Sequence, residues 1–438
     1  MDRYSTWLTV AILLTGILLR VAWVEADPDY YNWLGFYIDE LRWTEVARTF
    51  FHTGGISFNP HNYNTIVAPG FEAATLVSYQ ILGASLFSVR VFPIMCGVGL
   101  IVALYLHLRR RASPVGILCA VSLLAIQADL VNLSRVAIPD IASMAGGLLT
   151  WIAVDAARGR RLALAGAGLV LAVALSFKLT SYYLIPAFVL VVFWQRKGDG
   201  LKVRLADAGS LISGLAAPGI VALIVLANRL PPIEVLVRRL GVSLSFLEPS
   251  TIFTIVSRPF VARGVPFLNT GMLALWFGLV ALMVVWSNPV SAEPRGTQRR
   301  LEGSLIWVAT LSFVMEIQAY FPERYMAHIL IPLALVAAFA MTRLEAVGLA
   351  GLTTALSSLR GHRKFLAVST MSLPTIVLAA PVFAGILTVL GAAPDRLSPK
   401  LLAIGLASPP VVAVVLRWWG NQRAMGVMLA FPVATALG

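Results

Sequence analysis

Charge is scarce in this 438-residue chain: 13% of its residues are Asp, Glu, Lys or Arg, while 58% belong to the hydrophobic set. Soluble domains average about 25% charged and 45–50% apolar residues, so soluble enzymes and intrinsically disordered chains are both excluded. The chain reads as a polytopic membrane protein. Cysteine is scarcer still. Cys96 and Cys119 both lie in apolar runs, which leaves a disulfide framework or a thiolate metal site without support and makes core packing the plain reading. No Walker motif, Gly-x-Ser-x-Gly elbow or His-Glu-x-x-His occurs, so ATP-driven transport and the common hydrolase chemistries have no footing. No internal repeat stands out, which argues against an inverted-repeat transporter. No soluble domain is read at either end. Residues 1–438 are therefore expected to form one membrane domain whose function lies at the membrane surface or inside the bundle.

Apolar runs, by contrast, are abundant. A spanning helix takes about 20 mostly apolar residues, and about 13 such segments can be drawn. They fall near 6–24, 91–108, 114–128, 141–157, 162–177, 180–194, 207–227, 271–286, 303–319, 328–342, 365–390, 401–416 and 424–438. The first resembles a signal peptide in outline, but Arg20 interrupts it and many spans follow, so it is read as a retained helix. Basic residues cluster at Arg109–Arg111, Arg158–Arg161, Arg196–Arg204, Arg295–Arg300 and Arg343–Lys364. One orientation, with a cytoplasmic N-terminus, puts every cluster inside. In that topology the cytoplasmic segments hold 20 Lys and Arg against 7 Asp and Glu, and the external parts hold 14 against 14. The net charge of +13 thus reflects orientation in a bilayer and not a nucleic-acid partner.

Two external stretches are too long to be turns: residues 25–90 and 228–270. Loops of that length in a compact chain are usually functional when they are not disordered. The first interleaves Trp33, Trp43, Phe50, Phe51 and Phe58 with charges, a pattern suited to helices lying in the membrane interface. The apolar stretch 71–87 is read as one more interfacial helix, because a full span there would move the downstream basic clusters outside. Among the external charges, Asp39-Glu40 opens a helical pattern just after the first span. Adjacent acids at that place are also ordinary helix capping.

From here the chain resembles a family, the polyprenyl-phosphate-sugar-dependent glycosyltransferases of the GT-C fold, in their protein O-mannosyltransferase and ArnT-like branches. Asp39-Glu40 followed by Ala47-Arg48 resembles the first-loop motif. Gly83-Ala84-Ser85-Leu86-Phe87-Ser88-Val89-Arg90 is similar to the stretch that ends in an arginine before the second span. Ser134-Arg135 with Asp140 resembles the second external loop, Ser176-Phe177-Lys178 the lysine at an external helix end, and Glu323-Arg324-Tyr325 with Pro332 the late Arg-Tyr motif. The consecutive prolines usual after the first-loop helix are absent, Pro60 and Pro69 standing apart. The last third of the chain carries no assigned motif.

The resemblance implies an all-helical GT-C bundle in the bacterial inner membrane that takes a sugar from a polyprenyl-phosphate donor at the extracytoplasmic face. Its acceptor is a hydroxyl of a glycan, lipid or protein. Asp39 would then be the base, with inversion at the anomeric carbon, Glu40 its partner or an acceptor ligand, and Asp140 a further site acid. Such a reaction needs a base for the nucleophile and cations for the departing phosphate. Arg324, Lys178, Arg90 and Arg258 are the candidate phosphate ligands, Arg324 foremost because a guanidinium can grip phosphate with two N–H groups. Each has a plain alternative: Asp140 as a helix cap after Pro139, Arg324 and Lys178 as snorkelling side chains, and Arg258 with Arg263 as surface charges. His52, His61 and His328 have no diagnostic ligand spacing, so no cofactor is implied and a divalent metal has no support. A different class, a transporter or flippase for lipid-linked saccharides, would instead set its ionisable groups near the membrane midplane; Arg20 and Glu316 are the residues placed to do so, and are read as a structural pair.

Overall fold

The computed structural model describes residues 3–22, 24–25, 36–55, 67–226, 296–316 and 327–360. Every regular element among them is helical: α1 (Arg3–Val21), α2 (Phe36–Thr53), α3 (Pro69–Leu82), α4 (Leu86–Leu108), α5 (Pro114–Ala125), α6 (Ala128–Arg135), α7 (Asp140–Ala157), α8 (Arg161–Phe177), α9 (Leu184–Gln195), α10 (Leu201–Leu226), α11 (Thr297–Glu316) and α12 (Leu330–Arg360). A single turn of 3-10 helix, Leu179–Ser181, joins α8 to α9. Helices therefore stand where the apolar runs before residue 228 are read, and again over 303–316 and 330–342. The expected spans at 271–286, 365–390, 401–416 and 424–438, and the loop 228–270, lie outside the described residues. Among the described residues, α4 is the one helix long and apolar enough by itself to cross a membrane. The helix pair α5 and α6 meets that test together across a bend of 53°.

Local chemistry explains the boundaries. Gly83 closes α3 at φ +76°, a backbone region costly for any residue with a Cβ. Ser85 then caps α4: the Ser88 N–H donates to Ser85 Oγ at 3.1 Å, and the Ser85 N–H donates to Ser88 Oγ at 2.9 Å. This reciprocal box satisfies two orphan donors and starts the helix five residues before the apolar run at 91. The expected interfacial segment 71–87 is accordingly split, its last two residues belonging to α4. A second difference concerns the basic cluster Arg343–Lys364, set between the expected spans 328–342 and 365–390: α12 continues into it as far as Arg360, for no proline interrupts 343–360 and the stretch is rich in Ala and Leu.

The apolar core runs through all of these helices. Trp151 of α7 stacks on Trp307 of α11 with centroids 5.9 Å apart, and Phe188 of α9 closes on the same indole at 4.9 Å. The backbones of α8 and α10 approach so closely that a Cβ at Gly168 would strike the Leu211 carbonyl oxygen and one at Gly214 that of Ala165. Small residues permit such contacts between membrane helices.

Ion pairs sort the helix ends into two groups. At one end Asp155 accepts from Arg111 at 2.9 Å and Arg300 at 2.8 Å. Asp207 accepts from Arg196 at 2.8 Å and lies 3.5 Å from Arg161. Glu302 receives Lys197 and the Trp194 indole N–H at 2.7 and 2.9 Å. Four basic clusters distant in sequence thus converge on one end of the bundle, as a single orientation requires. The other end is where α4, α7 and α12 begin and α8 finishes.

Candidate active site

Two buried polar centres occupy this opposite end. The first is built on Glu40, in the first part of α2, and Arg90, one turn inside α4. Arg90 grips the carboxylate with two N–H groups, Nε to Oε1 at 2.9 Å and Nη2 to Oε2 at 3.0 Å. Its Nη1 donates to the Val24 carbonyl at 2.8 Å. The Ala137 N–H donates to Glu40 Oε1 at 2.8 Å. The side chains are 1% and 8% exposed. Glu40 is therefore a strut: it ties α2 to α4 and to the segment before α7, and Arg90 adds the chain just after α1. Fork-to-fork geometry of this kind is the strong form of the carboxylate–guanidinium bond.

The second centre is built on Asp140, the first residue of α7, and Lys178, which ends α8. Lys178 Nζ donates to Asp140 Oδ1, and both side chains are shut from solvent. His328, in the turn that opens α12, brings Nε2 to 3.6 Å from the same oxygen. The ring of Tyr183 stands edge-on to the imidazole at 5.5 Å. Beneath them Ser143 donates to Ser181 at 2.7 Å, across from α7 to the 3-10 turn. A charge buried this deeply persists only with a partner, and here the partner is the acid one helix away. Because Ala137 binds Glu40 and stands three residues before Asp140, at most about 10 Å of chain separates the two centres.

Sequence reasoning thus singled out four residues that the fold gathers at one end: Glu40, Arg90, Asp140 and Lys178. Their pairing departs from the expected division of labour. Arg90 and Lys178, read as phosphate ligands, each face a carboxylate, and Glu40, read as a possible partner of Asp39, is occupied by Arg90 and Ala137. Asp39 precedes Glu40 in α2; its side chain, and all of Arg258, Arg263, Arg324 and His61, lie outside the described residues. The expected structural pair of Arg20 with Glu316 is replaced, on the arginine's side, by carbonyls. Arg20 donates to the Leu124 and Ala125 oxygens at the end of α5 (2.8 and 2.7 Å), to Gly16 O at 2.8 Å and to Ser134 Oγ at 3.2 Å. It caps the broken end of α5, satisfying carbonyls that the bend into α6 leaves without helical partners.

A further buried acid near these centres was not singled out by sequence reasoning. Glu72, in the first turn of α3, is 5% exposed, and its Oε2 accepts the N–H of Ala47 in the middle of α2 at 2.9 Å. The available signal was its standing as the one acid within the apolar stretch 71–87.

Residues 67–221 match the family model described as dolichyl-phosphate-mannose-protein mannosyltransferase. That stretch contains Arg90, Asp140 and Lys178; it begins after Asp39 and Glu40. No curated protein matches the chain. Among solved structures, the chain is similar to ArnT from Cupriavidus metallidurans bound to undecaprenyl phosphate, at 19% identity and a TM-score of 0.49, covering 99% of this chain and 76% of that one. It is also similar to the Archaeoglobus fulgidus oligosaccharyltransferase tethered with an acceptor peptide, at 12% identity and a TM-score of 0.47, covering 100% of this chain and 55% of that one. The family match agrees with the resemblance carried by the sequence motifs, and it supports a membrane glycosyltransferase.

Proposed function

We propose that this chain is a GT-C-type glycosyltransferase of the bacterial inner membrane that moves a sugar from a polyprenyl-phosphate carrier to an acceptor hydroxyl on the extracytoplasmic side. The observation that carries the reading is the convergence of Glu40, Arg90, Asp140 and Lys178 on the helix ends opposite the basic clusters, three of them within the family match. A lipid-linked donor also suits a face of the membrane remote from nucleotide sugars.

In this reaction Asp39 takes the proton of the acceptor hydroxyl while its oxygen attacks the anomeric carbon. The bond from that carbon to the phosphate oxygen breaks, and polyprenyl phosphate leaves with the electron pair. Attack from the side opposite the leaving group inverts the configuration. Charge builds on the departing phosphate, and cations near it lower the barrier. Arg324 and Arg258 are assigned to that phosphate. Arg90 and Lys178 shape the site through their carboxylates: Glu40, held by Arg90 and Ala137, sets the backbone of its neighbour Asp39, and Asp140, held by Lys178, fixes the start of α7 three residues after Ala137. Preorganisation of this kind is what allows one base to act without reorganising at the moment of reaction. Among the described residues nothing favours the transporter reading, since Arg20 is consumed in capping α5.

The test is Asp39→Asn. It is expected to abolish transfer while the folded protein still binds the polyprenyl-phosphate sugar, because the amide keeps the shape and loses the basicity. Transfer at the rate of the unsubstituted chain would remove Asp39 from its assigned role.

A further inference from the structure

Helix α2 is held at two points. Glu40 fastens its beginning, and Ala47, seven residues on, is fastened by Glu72 of α3. Seven residues are close to two helical turns, so both attachments lie on nearly the same face. Between them Trp43, Thr44 and Val46 are buried, and α3 turns its own buried residues Phe71, Thr75 and Tyr79 inward. Two fastenings on one face fix the direction of a helix as well as its position. Asp39 stands at the end of that lever.

We propose that Glu72 is a positioning residue for sugar transfer, its carboxyl group holding α2 from the Ala47 side so that Asp39 meets the reacting centre. This rests on the assignment of Asp39 above. The carboxyl group is nearly sealed from water, and its Oε1 has no hydrogen-bond partner among the described residues, as is also true of the Thr75 hydroxyl one turn further along α3. Such surroundings favour the neutral acid, an isostere of an amide, over a carboxylate. Burial pushes Glu72 up to about 8, only partly offset by the backbone N–H groups of Ala47 and Val46, and Glu45 on α2 raises it further. Tyr79 is the other titratable group at hand on α3. On α2, Arg48 acts on Tyr79, and on the other helices packed beside α3, Arg90 of α4 and Lys178 after α8 are turned to Glu40 and Asp140. Ionisation therefore places a charge in the α2–α3 contact that no cation among the described residues pairs with.

The sign of the pH effect follows. Between the ordinary carboxylate value of 4.5 and about 8 the folded chain binds one more proton than the unfolded chain, so stability is highest below that window and falls as pH rises through it. Transfer then declines above about pH 8, where the acid ionises in the folded protein.

The experiment uses the full chain in detergent micelles or nanodiscs, with two readouts. Rates of transfer from polyprenyl-phosphate sugars are measured from pH 6 to 9.5, and apparent melting temperature is measured over pH 4.5 to 8.5, for the unsubstituted chain, Glu72→Gln and Glu72→Ala. Glu72→Gln is expected to keep most of the transfer and to lose both the alkaline decline and the fall of melting temperature with pH. Glu72→Ala is expected to lower turnover by up to about a hundredfold, the cost of misplacing a reacting group by an ångström, with donor KM little changed. Normal turnover in Glu72→Ala, or an unaltered pH dependence in Glu72→Gln, overturns the proposal. Should Glu72→Ala not fold, Glu72→Gln still decides it. If no polyprenyl-phosphate sugar is a substrate at all, the functional reading fails, while the melting curves still report on the fastening by Glu72.

Discussion

Removing the Glu40–Arg90 pair one partner at a time, and then whole, gives the sharpest quantitative test of the strut. Arg90 delivers two N–H groups to Glu40, and Ala137 delivers a third, in a place that is 1% and 8% exposed at the two side chains. Taking away one partner of a buried pair costs about 3–5 kcal/mol, because the remaining charge stays where it cannot be solvated. Glu40→Met takes both carboxylate oxygens away from the Arg90 guanidinium, and Arg90→Met takes two N–H donors away from the Glu40 carboxylate. Each single variant is therefore expected to lose about 4 kcal/mol of unfolding free energy. The double variant removes both charges and fills the space with apolar atoms, so it should lose no more than about 5 kcal/mol, a coupling of about 3 kcal/mol. Denaturant titration in micelles, followed by tryptophan fluorescence, measures all four corners of the cycle. The double variant should fold yet transfer sugar up to about a hundredfold more slowly, since α2 has lost its first fastening. Additivity of the single losses within about 0.5 kcal/mol would refute the strut.

Lys178→Met is expected to lower stability by about 3–5 kcal/mol, because it takes the facing ammonium away from Asp140 in a place shut from solvent; a change under about 0.5 kcal/mol would mean that the lysine faces an open site. Arg20→Lys is expected to cost about 2–4 kcal/mol despite its equal charge, since one ammonium cannot reach the four acceptors spread over α1, α5 and α6. Protection of the amides at the α5–α6 bend, followed by hydrogen exchange, should fall in that variant. Unchanged protection would show that the capping is incidental.

What was legible in the sequence is mostly local. Apolar runs between charge clusters mark the helices, since a chain in lipid must satisfy its backbone within each segment. The Ser85–Ser88 capping box shows only in the structure, because Ser88 stands where the usual signature has Glu or Gln and the apolar run begins only at 91. Charges at helix ends, such as Asp140 and Lys178, are legible as site candidates because burying them is costly. Their partners are not. Glu40 and Arg90 lie 50 residues apart and Asp140 and Lys178 lie 38 apart, and nothing within either segment encodes the other. Arg90 and Lys178 therefore read as phosphate ligands from sequence although each faces an acid in the fold. Glu72 was missed for the same reason: its place in the α2–α3 contact exists only once α3 lies along α2. The basic clusters, read solely as markers of orientation, also bind Asp155, Asp207 and Glu302 and fasten the helix ends together.

The central claim is that this chain moves a sugar from a lipid-linked phosphate. Its most direct measurement is incubation of the purified protein in nanodiscs with radiolabelled polyprenyl-phosphate sugars and a membrane extract, followed by identification of the labelled product. The expected result is label on an acceptor hydroxyl with inverted anomeric configuration, one polyprenyl phosphate released for each sugar moved, and none of this with Asp39→Asn. Label that remains on the polyprenyl carrier across all donors, or that crosses the bilayer still attached to it, would contradict the account.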